Sequence, residues 1–169
     1  MPASLAHWPW ATAPDVAASR AVAFVAMTTT EELLQKEDAA WSAFVDAFSK
    51  VPEDRRSDEG VVPGWSVHDL VWHCGFWAGY VADVLRKLGR GEPTDDSQDW
   101  DAFNTIVVQD GRAMSWDDVI VRSEQNRVAC REALQALTAL SDEAIDEFKG
   151  ETFEHYDEHA AEILTFIGD

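Results

Sequence analysis

Basic charge is what this sequence has least of. It carries 13 Lys and Arg against 32 Asp and Glu, a formal net charge of -19. Such a surface repels phosphate backbones, so no nucleic-acid partner is expected. Cysteine is almost as scarce. Cys74 and Cys130 form neither a Cys-x-x-Cys pair nor a disulfide framework, a usage that fits the reducing cytoplasm. No run of about eighteen apolar residues occurs, so no membrane span is expected. There is no glycine-rich phosphate loop, no Ser/His/Asp arrangement, no internal repeat and no low-complexity segment. Strand-like alternation is missing as well, which leaves helices as the building material.

What is present can fill a core. Hydrophobic residues make up 46% of the 169, with eight tryptophans and eight phenylalanines among them, enough for one domain. Residues 1–26 differ from the rest and end in the apolar run Ala21 to Met27. Arg20 comes too late for the basic start of a signal peptide, and no Ala-x-Ala site follows. The segment reads as an N-terminal arm, packed or disordered, or as an extension upstream of a natural start at Met27. The second reading is preferred, because a helix start follows at once: Thr28 with Glu31, or Thr29 with Glu32, has capping-box spacing. The remaining residues, 27–169, form the expected bundle domain.

The first helix is marked by Leu33, Ala40, Trp41, Phe44 and Phe48 and ends in the polar stretch Pro52 to Gly60. The second follows the turn Pro63-Gly64-Trp65, with Ser66 as N-cap and Asp69 three residues later. Its apolar stripe runs from Val67 to Leu88, and Gly89, Gly91 and Pro93 stop it. An acidic connection, Thr94 to Asp101, leads to a short helix that Gly111 breaks. The third main helix starts at Ser115 and runs to Leu140. Ser141 caps a short piece, Asp142 to Phe148, which Lys149-Gly150 interrupts. The last helix is expected from Glu151 to Ile167. Four main helices with one apolar face each predict an all-α four-helix bundle.

The histidines are the candidate chemistry. His155 and His159 are four apart on the last helix, so one face presents both rings a turn apart. Neutral imidazole ligates zinc, nickel, copper and iron. His73 lies on the second helix between Leu70 and Trp77 at one-turn spacing, and so faces inward. Three histidines would leave coordination positions open to water or substrate, as catalytic zinc sites do. The plainer alternative is that a pair at this spacing arises by chance, each ring a surface or core histidine. His68 is expected to face solvent, and His7 falls in the N-terminal extension.

The stretch Val62-Pro63-Gly64-Trp65-Ser66-Val67-His68-Asp69-Leu70-Val71-Trp72-His73 resembles the PGW-[ST]-V-x-D-[LV]-x-x-H signature of the DinB/YfiT-like superfamily. Within it, the sequence is most similar to the N-terminal domain of mycothiol-dependent maleylpyruvate isomerases. The ending Thr152-Phe153-Glu154-His155-Tyr156-Asp157-Glu158-His159 looks like the closing HxxxH helix of that family. The resemblance covers the chain from about Met27 onward. It implies an up-down-down-up bundle with a long connection between helices 2 and 3, and one divalent metal, zinc or nickel, held by His73, His155 and His159. In the isomerase branch the ligand a turn before the final histidine is a glutamate. Here that place is His155, which weakens maleylpyruvate isomerisation as the expected reaction. The chain's end at Asp169 also leaves no room for the C-terminal domain expected of the isomerases.

The resemblance further implies a thiol-dependent S-transferase or isomerase of the mycothiol or bacillithiol type, with the metal activating a low-molecular-weight thiol cosubstrate. Its alternatives are a noncatalytic metal-binding or stress-response bundle, and a metal-dependent hydrolase. A small-molecule substrate, a cytoplasmic location and a homodimer complete the expectation. Glu158 and Glu162 flank the histidine pair. Either could orient a ligand ring, but solvation on the helix surface is the weightier reading for so acidic a chain. Cys74, about 100° around the helix from His73, reads as a core residue, as does Cys130. Asn104 could reach an open metal position. Trp65 and Trp77 could line a pocket, with packing the safer reading.

Overall fold

The computed structural model describes residues 28–94 and 99–168. The arm or extension expected over residues 1–26, with His7, lies outside them. Helix α1 (Thr30–Ser49) begins where Thr29 closes a full capping box with Glu32. The Thr29 hydroxyl accepts from the Glu32 N–H at 3.1 Å, and the Glu32 carboxylate accepts from the Thr29 N–H at 2.9 Å. Of the two boxes the sequence offers, this is the one formed.

Before α2 (Val67–Gly89) the chain makes a small hairpin that alternation does not reveal, β1 (Glu59–Val62) against β2 (Trp65–Ser66). The strands are too short to show a period. They exist because Pro63-Gly64 turns the chain, with Gly64 at φ 81°, a conformation that suits glycine. The hairpin delivers Ser66 to cap α2, and its partner Asp69 both accepts from the Ser66 N–H and pairs with Arg112 at 2.8 Å. Asp69 is 1% exposed, so that guanidinium offsets a carboxylate taken out of water.

Helix α3 (Trp100–Gly111) lies on α2, where the Trp72 indole donates to the Val107 carbonyl at 3.0 Å. Helix α4 (Trp116–Gln135) ends earlier than the apolar spacing suggested. The spacing persists because Leu137 and Leu140 still pack on the core from the connecting turn. Helix α5 (Asp142–Lys149) is not followed by a break at Lys149-Gly150. The chain continues through a π-turn, Gly150–Glu154, into α6 (His155–Gly168). The buried residues Ala144, Phe148, Thr152, Tyr156 and Ala160 recur every four positions. In a continuous α-helix that spacing drifts around the axis. A wider π-turn brings it back, so both halves keep one face to the core.

Residue pairings fix the helix directions. Arg127 and Arg131 of α4 meet Glu37 and Leu34 of α1 in reverse order, so those helices are antiparallel. Ser123 and Asn126 of α4 meet the Val71 and Gly75 carbonyls of α2 in the same order, so those are parallel. Trp41 packs on Tyr156, and Arg55, just beyond α1, on Phe166, so α1 and α6 are parallel. This is the up-down-down-up bundle, with α3 in the long connection. Gly75 permits the close α2–α4 approach, since a Cβ there would collide with the Ser123 side chain. Phe44, Leu70, Tyr156 and Ile163 fill one part of the core, and Leu33, Leu85, Leu134 and Phe148 the other. Each such large side chain contributes about 1.5–3 kcal/mol by leaving water.

Candidate metal centre

The α2–α6 seam carries the site. His73 stands two turns into α2, held between Trp65 of the hairpin at 4.9 Å and Trp77 of α2 at 6.3 Å between ring centroids. His155 and His159 come from the first turns of α6, which the π-turn aims at α2. The three rings offer one nitrogen each, all within 4.8 Å of one another. The Nε2 atoms of His73 and His155 are 3.0 Å apart. Two nitrogens bound at ~2.0–2.1 Å to one tetrahedral ion sit roughly 3.3 Å apart, so little movement separates this arrangement from a ligand set.

Electrostatics favours the ligating form. Burial, and then the neighbouring His159, pushes the His73 pKa down to about 3. His155 is held well below the ordinary imidazole value by burial and then by its two histidine neighbours. Both rings are therefore neutral at pH 7 and can donate a lone pair. The buried His159 Nε2 has no hydrogen-bond partner among the described residues. A buried polar atom left so is unfavourable, and a metal ion here would satisfy it. Three imidazole nitrogens are a donor set that suits divalent transition metals as a class.

The other candidate residues fall into place around this cluster. His68 does not face solvent. It is 8% exposed, with Nε2 3.2 Å from the Met114 carbonyl oxygen and its ring against Trp116. The connection between α3 and α4 covers that turn of α2, a long-range contact that local spacing does not carry. Cys74 is buried, its thiol pKa raised well above the usual value by burial and nearby carboxylates; it is a core residue, and so is Cys130. Asn104 does not join the cluster: its side-chain oxygen accepts from the Trp77 indole at 3.0 Å. Trp65 and Trp77 pack and also wall the site, so their two readings coincide.

The carboxylates divide. Glu158 is exposed, as expected of a solvated face. Glu162 is not given over to solvent: its Oε2 lies 2.6 Å from His159 Nδ1. Sequence reasoning passed over Glu151, although it stands one turn before His155. Its carboxylate is 3.5 Å from His155 Nδ1, and burial, then Glu147, raises its pKa to about 7. The spacing 151, 155, 159 was the available signal, hidden because position 151 falls in the π-turn.

Residues 58–150, more than half of the chain, match the family described as the mycothiol maleylpyruvate isomerase N-terminal domain. The match contains His73 and stops short of His155 and His159. That family lies within the DinB/YfiT-like superfamily. The crystal structure of an uncharacterised protein from Escherichia coli UTI89 is similar, with a TM-score of 0.70 at 16% identity over 83% of this chain and 93% of that one. At that identity the likeness establishes the fold alone. No curated protein matches the chain.

Proposed function

The chain belongs to the mycothiol maleylpyruvate isomerase N-terminal domain family, and from that membership we propose a metal-dependent enzyme that activates a low-molecular-weight thiol of the mycothiol or bacillithiol type for S-transfer or isomerisation. The observation that carries the reading is the set of three imidazole nitrogens, from two helices, within 4.8 Å of one another. His73, His155 and His159 would hold one divalent ion, zinc or nickel. When bound, such an ion supplies Lewis acidity that shifts a thiol toward its thiolate near neutral pH.

The chain's own residues have defined tasks. Burial keeps the His73 and His155 rings unprotonated. Trp65 and Trp77 pack on the His73 ring and shield it from water. With three protein ligands a further position is open to a thiol. We assign a small-molecule substrate and a cytoplasmic location. The acidic surface, net -19, supports the absence of a nucleic-acid partner.

A second reading has support in the burial of His73 and His159. Ligands so enclosed also suit a noncatalytic metal-binding bundle, and an ion with bound water would suit a hydrolase. Two measurements separate these. Elemental analysis of protein purified without a metal-affinity tag is expected to find about one equivalent of a transition metal. Less than about half an equivalent, with no thermal shift on adding zinc or nickel, sinks the metal reading. Loaded protein is then expected to turn over a thiol with an epoxide or chlorodinitrobenzene. Metal without turnover leaves the binding bundle; turnover of an ester without thiol favours the hydrolase.

A further inference from the structure

We propose that Glu162 is a positioning residue of the metal centre, fixing which nitrogen of His159 is free to ligate. The proposal rests on the metal reading above and adds to it a protein-imposed tautomer. Glu162 follows His159 by three residues on α6, so both side chains share one face. Its Oε2 lies 2.6 Å from His159 Nδ1, the length of a strong, charge-assisted hydrogen bond. An ionised carboxylate only accepts, so Nδ1 must carry the hydrogen. A neutral imidazole has one N–H, and Nε2 is then the bare atom. That Nε2 is the one buried without a partner among the described residues, on a ring whose centroid lies 5.4 Å from that of His73 and 4.7 Å from that of His155.

The other two rings lack such an anchor. The Glu151 carboxylate stands 3.5 Å from His155 Nδ1, too far for a strong hydrogen bond. His73 Nδ1 is buried with no hydrogen-bond partner among the described residues. Among the three rings only His159 has its lone pair aimed by a carboxylate. Metal-ligating histidines usually donate their second N–H to such a group, and removing it costs ~10–100-fold in metal affinity.

The test has an arm that needs no metal. Long-range proton–nitrogen NMR of the full chain, labelled at histidine nitrogen and stripped by chelator, reads the tautomer of each ring at about pH 8. The His159 signals are assigned by their loss in His159→Asn. The wild-type ring is expected in the Nδ1–H form, retained in Glu162→Gln, whose amide oxygen still accepts, and lost in Glu162→Ala. A wild-type His159 in the Nε2–H form, or doubly protonated, overturns the proposal whether or not any variant folds. The second arm is zinc affinity by competition with a chromophoric chelator. Glu162→Ala is expected to weaken binding by ~10–100-fold, Glu162→Gln by less, and Glu151→Gln by under about threefold. Wild-type affinity in a folded Glu162→Ala protein also overturns it. If wild type binds no zinc, the metal reading fails, and the tautomer measurement still decides what Glu162 does.

Discussion

Two seams of this bundle bury polar groups, and they treat them oppositely. Between α1 and α4, Glu37 is 1% exposed, and its carboxylate takes the Arg127 guanidinium at 2.7 Å as well as Arg131. Arg127 also pairs with Asp38 at 2.7 Å and Glu124 at 3.1 Å, and lies over the Trp41 ring. Between α2 and α6, three imidazoles crowd together, and the buried Nε2 of His159 has no hydrogen-bond partner among the described residues. A matched network asks for nothing further and fixes how two helices meet. An unmatched one of good ligand atoms is where a bound group would go.

The largest expected effect breaks the matched seam. Glu37→Ala takes away the buried carboxylate that Arg127 and Arg131 share and leaves Arg127 with the exposed Asp38 and Glu124, and removing one partner of a buried pair costs about 3–5 kcal/mol. Urea unfolding is expected to show a loss of that size, with zinc affinity per folded molecule unchanged. A loss under about 1 kcal/mol would mean the pair is solvated and the contrast between the seams is false.

Filling the unmatched seam should come next. At a thousand-fold excess over its dissociation constant, an ion that binds only the folded state adds about 4 kcal/mol of stability. Zinc is expected to raise the melting temperature of wild type but not of His73→Ala. Equal shifts in both proteins would place any metal elsewhere.

Acid should act chiefly on the metal-free protein, through groups at the unmatched seam. His73 has a pKa of about 3 when folded and 6.5 ordinarily. Between those values the unfolded chain takes up a proton that the folded chain refuses. The stability present above pH 6.5 is therefore lost as pH falls toward 3, and His155, also depressed, works in the same direction. Glu151 opposes them: raised from 4.5 to about 7, it holds a proton in the folded state, so acidification through that window adds stability. One carboxyl thus offsets about one histidine down to pH 4.5. Below that only the histidines act, each at up to about 1.4 kcal/mol per pH unit. Unfolding curves of stripped protein should steepen in their pH dependence below about 4.5. Glu151→Gln is expected to about double the slope of the loss between pH 6.5 and 4.5, where the wild type has one histidine left uncompensated.

Local signals made the bundle legible before any coordinates. The Thr29 and Ser66 caps, the stripe of α2 and the inward His73 are short-range patterns, and so is the i, i+4 histidine pair. What stayed hidden depends on other parts of the chain. The covering of His68 comes from Met114 and Trp116, more than forty residues away in sequence. The π-turn follows from keeping Phe148, Thr152 and Tyr156 all on the core, a demand no single window expresses. Glu162 can be read as orienting a ligand ring or as a solvated acid, and the acidity of the chain favours the second; the rotamer that carries its carboxylate to His159 Nδ1 is what spacing does not fix.

The smallest expected effect is the most discriminating. Replacing His159 with leucine removes an imidazole whose Nε2 is buried and unpaired, and puts a side chain of similar volume against α2. The ring brings one bond to Glu162, and that carboxylate, with an intermediate share of its surface open, can be hydrated once the ring is gone. Loss of a hydrogen bond to a charged group costs about 1.5–3 kcal/mol, and ending the burial of an unsatisfied nitrogen returns a similar amount, about 1–3 kcal/mol. Stripped His159→Leu should therefore be as stable as stripped wild type within about 1 kcal/mol, or slightly more stable, by urea unfolding, and should gain nothing from zinc. A structural histidine would behave like Glu37, with a loss of several kcal/mol on removal. That result would move the α2–α6 seam into the same class as the α1–α4 seam and remove the reason to place an ion there.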